Sequence, residues 1–146
     1  MSLEIIIILG VLIFLFGSIS YAIPSKKSQE ISKFRMEALK FGAKINIYTK
    51  ADKVFKSDDF SLVNYVIKNH SSIKDAHFIR DKKEFILYSP LKLKYEDNFL
   101  ELISKLNNIS EDVIEVAFIG SQISFLWKEK TDITELKKIS TELNHI

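Results

Sequence analysis

Three histidines are the side chains of this chain best suited to acid or base chemistry, because an imidazole titrates near neutral pH. His70, His77 and His145 fall in a predicted loop, a predicted strand and the C-terminal tail. A catalytic nucleophile needs such a base beside a Ser, Thr or Cys, with a third group to orient it. The spacing of the histidines predicts no such grouping, so we expect no catalytic residues and a protein that is not an enzyme.

Neighbouring carboxylates could also carry acid and base chemistry or hold a metal ion. They occur at Asp58-Asp59, Glu96-Asp97 and Glu111-Asp112. Each pair lies at the predicted start of an element, where capping and the helix dipole explain negative charge without a site. We therefore expect no metal and no cofactor.

Composition excludes further classes of site. With four glycines in the chain, neither a Walker loop nor a dinucleotide fingerprint can be written, and without cysteine there is no disulfide or thiolate metal site. Acidic residues outnumber basic ones from Ala51 onward, although the whole chain has a net charge of +2. Nucleic acid is therefore not an expected partner.

An uncharged apolar run over residues 5–23 dominates the N-terminus. At about 1.5 Å per residue, a helix of this length crosses most of a hydrocarbon core of about 30 Å. Tyr21 suits the membrane interface, and Pro24 marks the end of the run. We predict a transmembrane anchor over residues 1–24, with a cleaved signal peptide at Ser20-Tyr21-Ala22 as the alternative.

Basic residues follow the run directly, at Lys26, Lys27, Lys33 and Arg35. The positive-inside rule then predicts a single-pass protein with a cytoplasmic C-terminal domain. We expect these four residues, together with Tyr21, at the membrane interface, which makes membrane lipid a partner.

Two glycines in the span, Gly10 and Gly17, share one stripe of the helix. Small residues let helices approach closely, so the stripe could pack against the helix of an integral-membrane partner. Glycine is also common in membrane helices without such a role, and the sequence leaves both interpretations open.

Residues 25–43 predict a basic amphipathic juxtamembrane helix, whose apolar residues from Ile31 to Phe41 recur at helical spacing and which Gly42 ends. The apolar stripe could pack on the following domain, with the lysines solvated. Alternatively, the helix could lie on anionic headgroups.

Residues 44–146 predict a soluble α+β domain. The expected elements are a strand at 45–49, a helix at 58–68, a hairpin at 76–88, a helix at 96–107, a hairpin at 113–128 and a helix at 131–144. The first six elements follow the split βαβ order of a small ferredoxin-like sandwich, extended by an extra edge strand and a C-terminal helix.

Gly120-Ser121 predicts a two-residue hairpin loop, which sets the register of the strands beside it. The expected pairs on the apolar face are Phe118 with Ile123, Val116 with Phe125 and Ile114 with Trp127. On the other face Glu115 is expected opposite Leu126. Trp127 is then expected to be a core or rim residue rather than a ligand platform.

Four segments of the chain carry a family resemblance, namely Ile23-Pro-Ser-Lys-Lys, Arg35-Met-Glu-Ala-Leu-Lys-Phe-Gly-Ala-Lys-Ile, Val113-Ile-Glu-Val and Phe125-Leu-Trp-Lys-Glu. In these segments the chain resembles a group of small uncharacterised single-pass proteins of gammaproteobacteria. The resemblance implies an inner-membrane location and supplies no activity. The span and the helix after it are also superficially similar to the YajC-type accessory subunit of the Sec translocon, but the glycine-rich turn of that family is missing after Gly42.

Together these patterns favour a membrane-anchored accessory or scaffolding protein, whose cytoplasmic domain binds a protein partner or a membrane complex. The alternative is a membrane-associated sensory module that binds a ligand or lipid headgroups. An enzyme is a third possibility.

Overall fold

The computed structural model describes residues 2–46 and 54–146 of the chain. These residues have the predicted α+β class, with four α-helices and a six-stranded antiparallel sheet. The bounds are α1 (Leu3–Ala22), α2 (Lys26–Phe41), β1 (Lys44–Asn46), β2 (Val63–Lys68), β3 (Asp75–Asp81), β4 (Glu84–Ser89), α3 (Phe99–Asn107), β5 (Val113–Ile119), β6 (Gln122–Trp127) and α4 (Ile133–Asn144). Residues Met1–Lys33 and Phe34–Ile146 form two compact units.

Helix α1 is the predicted apolar segment. It has 20 residues, a mean hydropathy of 2.6 and no buried side chain. Because a helix satisfies its own backbone hydrogen bonds, such a segment can cross hydrocarbon. One N-terminal helix among the described residues is therefore long and apolar enough to span a membrane.

The strands of the sheet lie in the order β1-β2-β6-β5-β3-β4. One face of the sheet, here called the first face, is covered by α2, α3 and α4, because each of these helices carries an apolar stripe. The buried residues of the stripes are Phe34 and Ala38 in α2, Leu102 and Leu106 in α3, and Leu136, Ile139 and Leu143 in α4. Trp127 and Tyr65 are fully buried in the same core, so the prediction of Trp127 as a core residue is confirmed.

Helix α2 ends as predicted at Gly42, whose φ of +99° lies in the left-handed region that favours glycine. Beyond it the amide of Ala43 donates to the carbonyl of Ala38 and closes the last turn. Burial of Phe34 and Ala38 confirms that the apolar stripe packs on the domain.

The helix predicted at 58–68 is wrong. That part of the chain ends in strand β2, which pairs with β6 from Val63 opposite Trp127 to Lys68 opposite Gln122. Both faces of β2 are covered, so four consecutive residues are buried and no alternating pattern marks the strand. The spacing of Phe60, Val63 and Ile67 then imitates a helix.

Without that helix, Asp58-Asp59 does not mark a helix start. The Asp59 carboxylate instead accepts the amide of Ser61 in a local turn, and hydrogen bonding with Ser61 lowers the Asp59 pKa.

The ferredoxin-like detail is not confirmed either. A split βαβ unit joins parallel strands through a helix, whereas β1 and β2 are antiparallel neighbours. Of the strand predicted at 45–49, residues 47–49 lie outside the described residues.

The β5–β6 hairpin has the predicted loop and most of the predicted register. The confirmed pairs are Phe118 with Ile123, Val116 with Phe125 and Glu115 with Leu126. A bulge between Val113 and Glu115 then makes Val113 the partner of Trp127, so the predicted pair of Ile114 with Trp127 is wrong. The extra residue turns Val113 into the first-face core.

The β3–β4 hairpin and helices α3 and α4 are confirmed with shifted ends. Helix α3 begins at Phe99, later than predicted, because a 3-10 helix at Leu91–Tyr95 precedes it. Helix α4 has the predicted cap, since the Asp132 carboxylate accepts the amide of Thr134. Glu135, the expected second half of that cap, accepts the hydroxyl of Ser110.

Candidate functional site

The residues predicted at the membrane interface differ in their surroundings. Tyr21 is 95% exposed near the end of α1. Three lysines are exposed on α2, namely Lys26, Lys27 and Lys33. Arg35 is instead ion-paired with Glu129. The interface role of all five predicted residues stays a prediction.

The two glycines of α1 face open space. A Cβ added at Gly10 or Gly17 would contact nothing within 4 Å. Such room is what close helix packing requires, but it identifies no partner, so the packing role stays a prediction.

A three-residue network fastens α2, from Phe34 onward, to the segment after β6. Arg35 Nε and Nη2 donate to the two carboxylate oxygens of Glu129 at 2.9 and 2.7 Å, and the Tyr65 hydroxyl donates to Glu129 Oε1 at 2.5 Å. A bidentate pair fixes orientation as well as distance. Hydrogen bonding to Glu129 raises the Arg35 pKa, and burial raises the Tyr65 pKa. Arg35 therefore positions α2 on the sheet.

Glu115 in β5 is a carboxylate with no exposed surface. It lies on the second face of the sheet, opposite the three helices, beside the small apolar cluster of Ala117 and Leu126. Moving a carboxylate out of water is unfavourable unless it is paired and hydrogen-bonded. His77 Nε2 lies 2.5 Å from its Oε1, the Lys56 amide donates to Oε1 at 2.7 Å, and the Ser57 amide donates to Oε2 at 3.0 Å. Glu115 thus has three partners among the residues that the structure describes.

The two amide donors belong to residues 54–62, here called the strap, which covers the second face. Phe55 and Leu62 of the strap pack with Ala117 and Leu126. Backbone outside helices and strands has no regular ladder of hydrogen bonds, so its buried amides need other acceptors. The Glu115 carboxylate provides the acceptor and holds the strap in place.

His77 completes the cluster on the second face. Its ring centroid lies 5.1 Å from that of Tyr88 and 6.5 Å from that of Phe55, and the Lys56 ammonium lies 5.0 Å from the Tyr88 centroid. A histidine oriented by a carboxylate is the arrangement of a general base. Here both Glu115 carboxylate oxygens accept amides of the strap, and two aromatic rings flank the imidazole. A structural role in holding the strap therefore explains the contacts of Glu115 and His77.

Arg80 in β3 is another buried ionisable side chain that sequence reasoning missed. Its guanidinium donates to four carbonyls, those of Val113, Lys83, Ile109 and Ser110. Burial lowers its pKa. The side chain joins the β3–β4 turn to the segment before β5, which is a structural role.

The sequence places Glu115 correctly opposite Leu126 but predicts no role for it. The available signal was a single carboxylate within an otherwise apolar strand. Its partners could not be found from spacing, because His77 is 38 positions away and Lys56 is 59. A contact of this range follows from the sheet order rather than from a local pattern.

The other two histidines lie apart from this cluster. His70 and His145 both line one open cavity of about 550 Å³ at another place on the domain. Within the described ranges, no group of three or more His, Cys, Asp or Glu could hold a metal ion.

Comparison with known proteins finds no matching family model, no matching curated protein and no matching solved structure. The resemblance to small single-pass proteins of gammaproteobacteria and to the YajC-type subunit therefore stays a prediction.

Proposed function

We propose that this chain is a non-enzymatic accessory or scaffolding protein of the inner membrane, whose cytoplasmic domain binds a protein partner or a membrane complex. The observation that carries the proposal is helix α1, with a mean hydropathy of 2.6 and no buried side chain. An apolar surface of this size needs lipid or another apolar partner. The basic residues that follow α1 support the cytoplasmic orientation.

Exposed apolar side chains of the domain support a protein partner. Leu91, Tyr95 and Leu100 are 68%, 86% and 82% exposed. Ile86 and Tyr88 of edge strand β4 are also exposed, so all five come from residues 86–100. Tyr is enriched in the buried centre of protein interfaces, and transfer of exposed apolar side chains from water to a partner surface is favourable.

The buried polar groups support the non-enzymatic part of the proposal. Glu115 holds the strap, Arg35 and Glu129 hold α2, and Arg80 holds the turn before β5. Each group has a structural role that accounts for its burial.

Site-specific photocrosslinking in membranes tests the proposal. We expect a photoreactive phenylalanine analogue at Tyr95 of the full-length chain to form a light-dependent adduct with one protein. The same analogue at Lys138, exposed on α4, is the matched control and should form none. Equal adducts at both positions, or none at Tyr95, would contradict the proposed surface.

Extraction of the membranes tests the anchor independently. The full-length chain should stay in the membrane fraction after washing at high pH, which strips peripheral proteins. The double substitution Ile8→Arg, Leu12→Arg places two charges in the middle of the span and should prevent membrane retention. A chain that the wash releases would overturn the anchoring, whatever the crosslinking shows.

A further inference from the structure

A recess lies where helix α3, the 3-10 helix before it and the loop after β2 meet at the edge of the main core. Its volume is about 220 Å³. Four large apolar side chains line the recess and are only half-buried, although each packs against the core: Ile73, Leu93, Phe99 and Ile146. The recess therefore exposes apolar surface, whose transfer from water to an apolar partner is favourable.

The recess is continuous with the exposed apolar surface at residues 86–100. Leu93, in the lining, lies two positions from both Leu91 and Tyr95, and Phe99 directly precedes Leu100. Because consecutive Cα atoms are about 3.8 Å apart, each of these exposed residues lies within about 8 Å of a lining residue, Cα to Cα. Protein interfaces combine such features, since an anchor side chain fills a pocket and the contacts around it exclude water.

The volume of the recess limits what can enter it. An apolar cavity of about 150 Å³ holds one benzene molecule. Sites for small molecules and cofactors usually measure about 300–1,000 Å³. At about 220 Å³, the recess matches one aromatic ring or one large aliphatic group better than a cofactor.

Charges at the rim of the recess have both signs. Glu96 and Glu101 line it together with Lys105 and His145. Lys105 pairs with Glu101 at 2.9 Å, and Glu96 lies just before the N-terminal end of α3, where the helix dipole is positive. With the carboxylates compensated in this way, an uncharged apolar group suits the recess best.

We propose that the recess receives one uncharged apolar side chain of a protein partner, of the size of Leu, Phe or Trp, as the anchor of the surface at 86–100. The inference rests on the proposed function, because it names what the partner presents. A small molecule in the recess would leave Tyr95 and Leu100 exposed at 86% and 82%, whereas a protein segment can cover both.

Titration with amino-acid amides tests the recess without the partner. Full-length protein in detergent micelles, with labelled Ile and Leu methyl groups, is titrated with uncharged N-acetyltryptophanamide and followed by NMR. We expect saturable shifts of the Ile73 and Leu93 methyl signals, and none at Ile86, which lies outside the recess. N-acetylglycinamide has the same backbone without the apolar side chain and should shift none of them. Absence of saturable shifts at Ile73 and Leu93, or equal shifts with both amides, would overturn the proposal.

Matched substitutions at the two ends of α3 connect the recess to the partner. Asn98 lines the recess and makes no side-chain capping bond, so Asn98→Trp fills the mouth with little loss of stability. Asn108→Trp, at the C-terminal end of the same helix and outside the recess, is the control. Far-UV circular dichroism checks the fold of both variants.

The two variants should differ in both assays. Asn98→Trp should abolish the methyl shifts and reduce the light-dependent adduct formed from Tyr95 about tenfold, because a single anchor carries a large share of the binding energy of an interface. Asn108→Trp should change neither the shifts nor the adduct.

The outcomes distinguish this inference from the proposed function. An adduct that Asn98→Trp leaves unchanged would overturn the anchor role and leave the proposed function standing. Absence of an adduct in the wild type, even with saturable shifts in the titration, would contradict the proposed function. It would also overturn the anchor role, since no protein side chain would then enter the recess.

Discussion

The two faces of the sheet are covered by different kinds of structure. On the first face, three helices bury an apolar cluster around Trp127. On the second face, the strap covers a cluster of Phe55, Leu62, Ala117 and Leu126, with the Glu115 carboxylate buried beside it. A helix pairs its own amides, so it can cover a sheet with apolar side chains alone, whereas the buried amides of irregular backbone need an acceptor elsewhere. Burial of Glu115 follows from covering a sheet with irregular backbone.

The largest expected effect is on the first face. Trp127→Ala removes the largest fully buried side chain of the core and should lower the free energy of unfolding by about 3–5 kcal/mol. Urea unfolding in detergent, followed by far-UV circular dichroism, measures the loss. Tyr95→Ala, at an exposed aromatic position, is the control and should change stability by no more than about 0.5 kcal/mol. A loss below about 1 kcal/mol for Trp127→Ala would contradict the central position of this residue.

The second face should respond less strongly and more locally. Glu115→Gln keeps the shape of the side chain but replaces one carboxylate oxygen by an NH₂ donor, which then faces the amide donor of either Lys56 or Ser57, so it should cost about 1–3 kcal/mol. Hydrogen exchange is the decisive measurement, because the Lys56 and Ser57 amides should exchange faster while the amide of Phe125 stays protected. Glu101→Gln, in an exposed ion pair, is the matched control. Uniform acceleration across both faces would show that Glu115 does not act through the strap.

The same contrast explains what sequence could predict. Helices α2, α3 and α4 of the first face were foreseen, because an apolar stripe at a 3.6-residue period is a local signal. The β5–β6 register was also local, since Gly120 sets it, and it held until the bulge at Ile114. A bulge of one residue has no characteristic composition, so no sequence pattern predicts it.

The second face left no such signal. Residues 58–62 belong to a strap and 63–68 to a strand, yet the spacing of Phe60 and Val63 suited a helix. The strap is defined by contacts with Glu115 and His77, which are distant in sequence.

A smaller effect is expected where α2 joins the first face. Arg35→Gln should cost about 1 kcal/mol, because the Arg35 side chain is 42% exposed and water screens its pair with Glu129. The loss of stability should be smaller at high salt, because the Debye length is then shorter and the ion pair is more strongly screened. Lys33→Gln is the control, an exposed lysine on the same helix. Equal effects of the two substitutions in urea unfolding would argue that Arg35 acts through net charge instead of through its bidentate bond.

The smallest effects concern exposed carboxylates, one for each face. Hydrogen bonds with Thr134 lower the pKa of Asp132 at the start of α4, and hydrogen bonds with Ser61 lower that of Asp59 in the strap. A carboxyl group with a lowered pKa in the folded state stabilises that state above its unfolded pKa of about 3.9, and this contribution is lost as pH falls through the folded value. Asparagine keeps the turn or cap but cannot titrate. Replacement of either aspartate by asparagine should therefore remove this pH dependence.

The two faces should then differ in where that change is seen. Asp132→Asn should alter the pH dependence of global unfolding between about pH 5 and 2, because α4 belongs to the main core. Asp59→Asn should alter the pH dependence of hydrogen exchange at Lys56 and Ser57 and leave global unfolding nearly unchanged, because the strap can open by itself. If Asp59→Asn changed global unfolding as much as Asp132→Asn does, the strap would be part of one cooperative unit with the first face, and Glu115 would stabilise the whole domain.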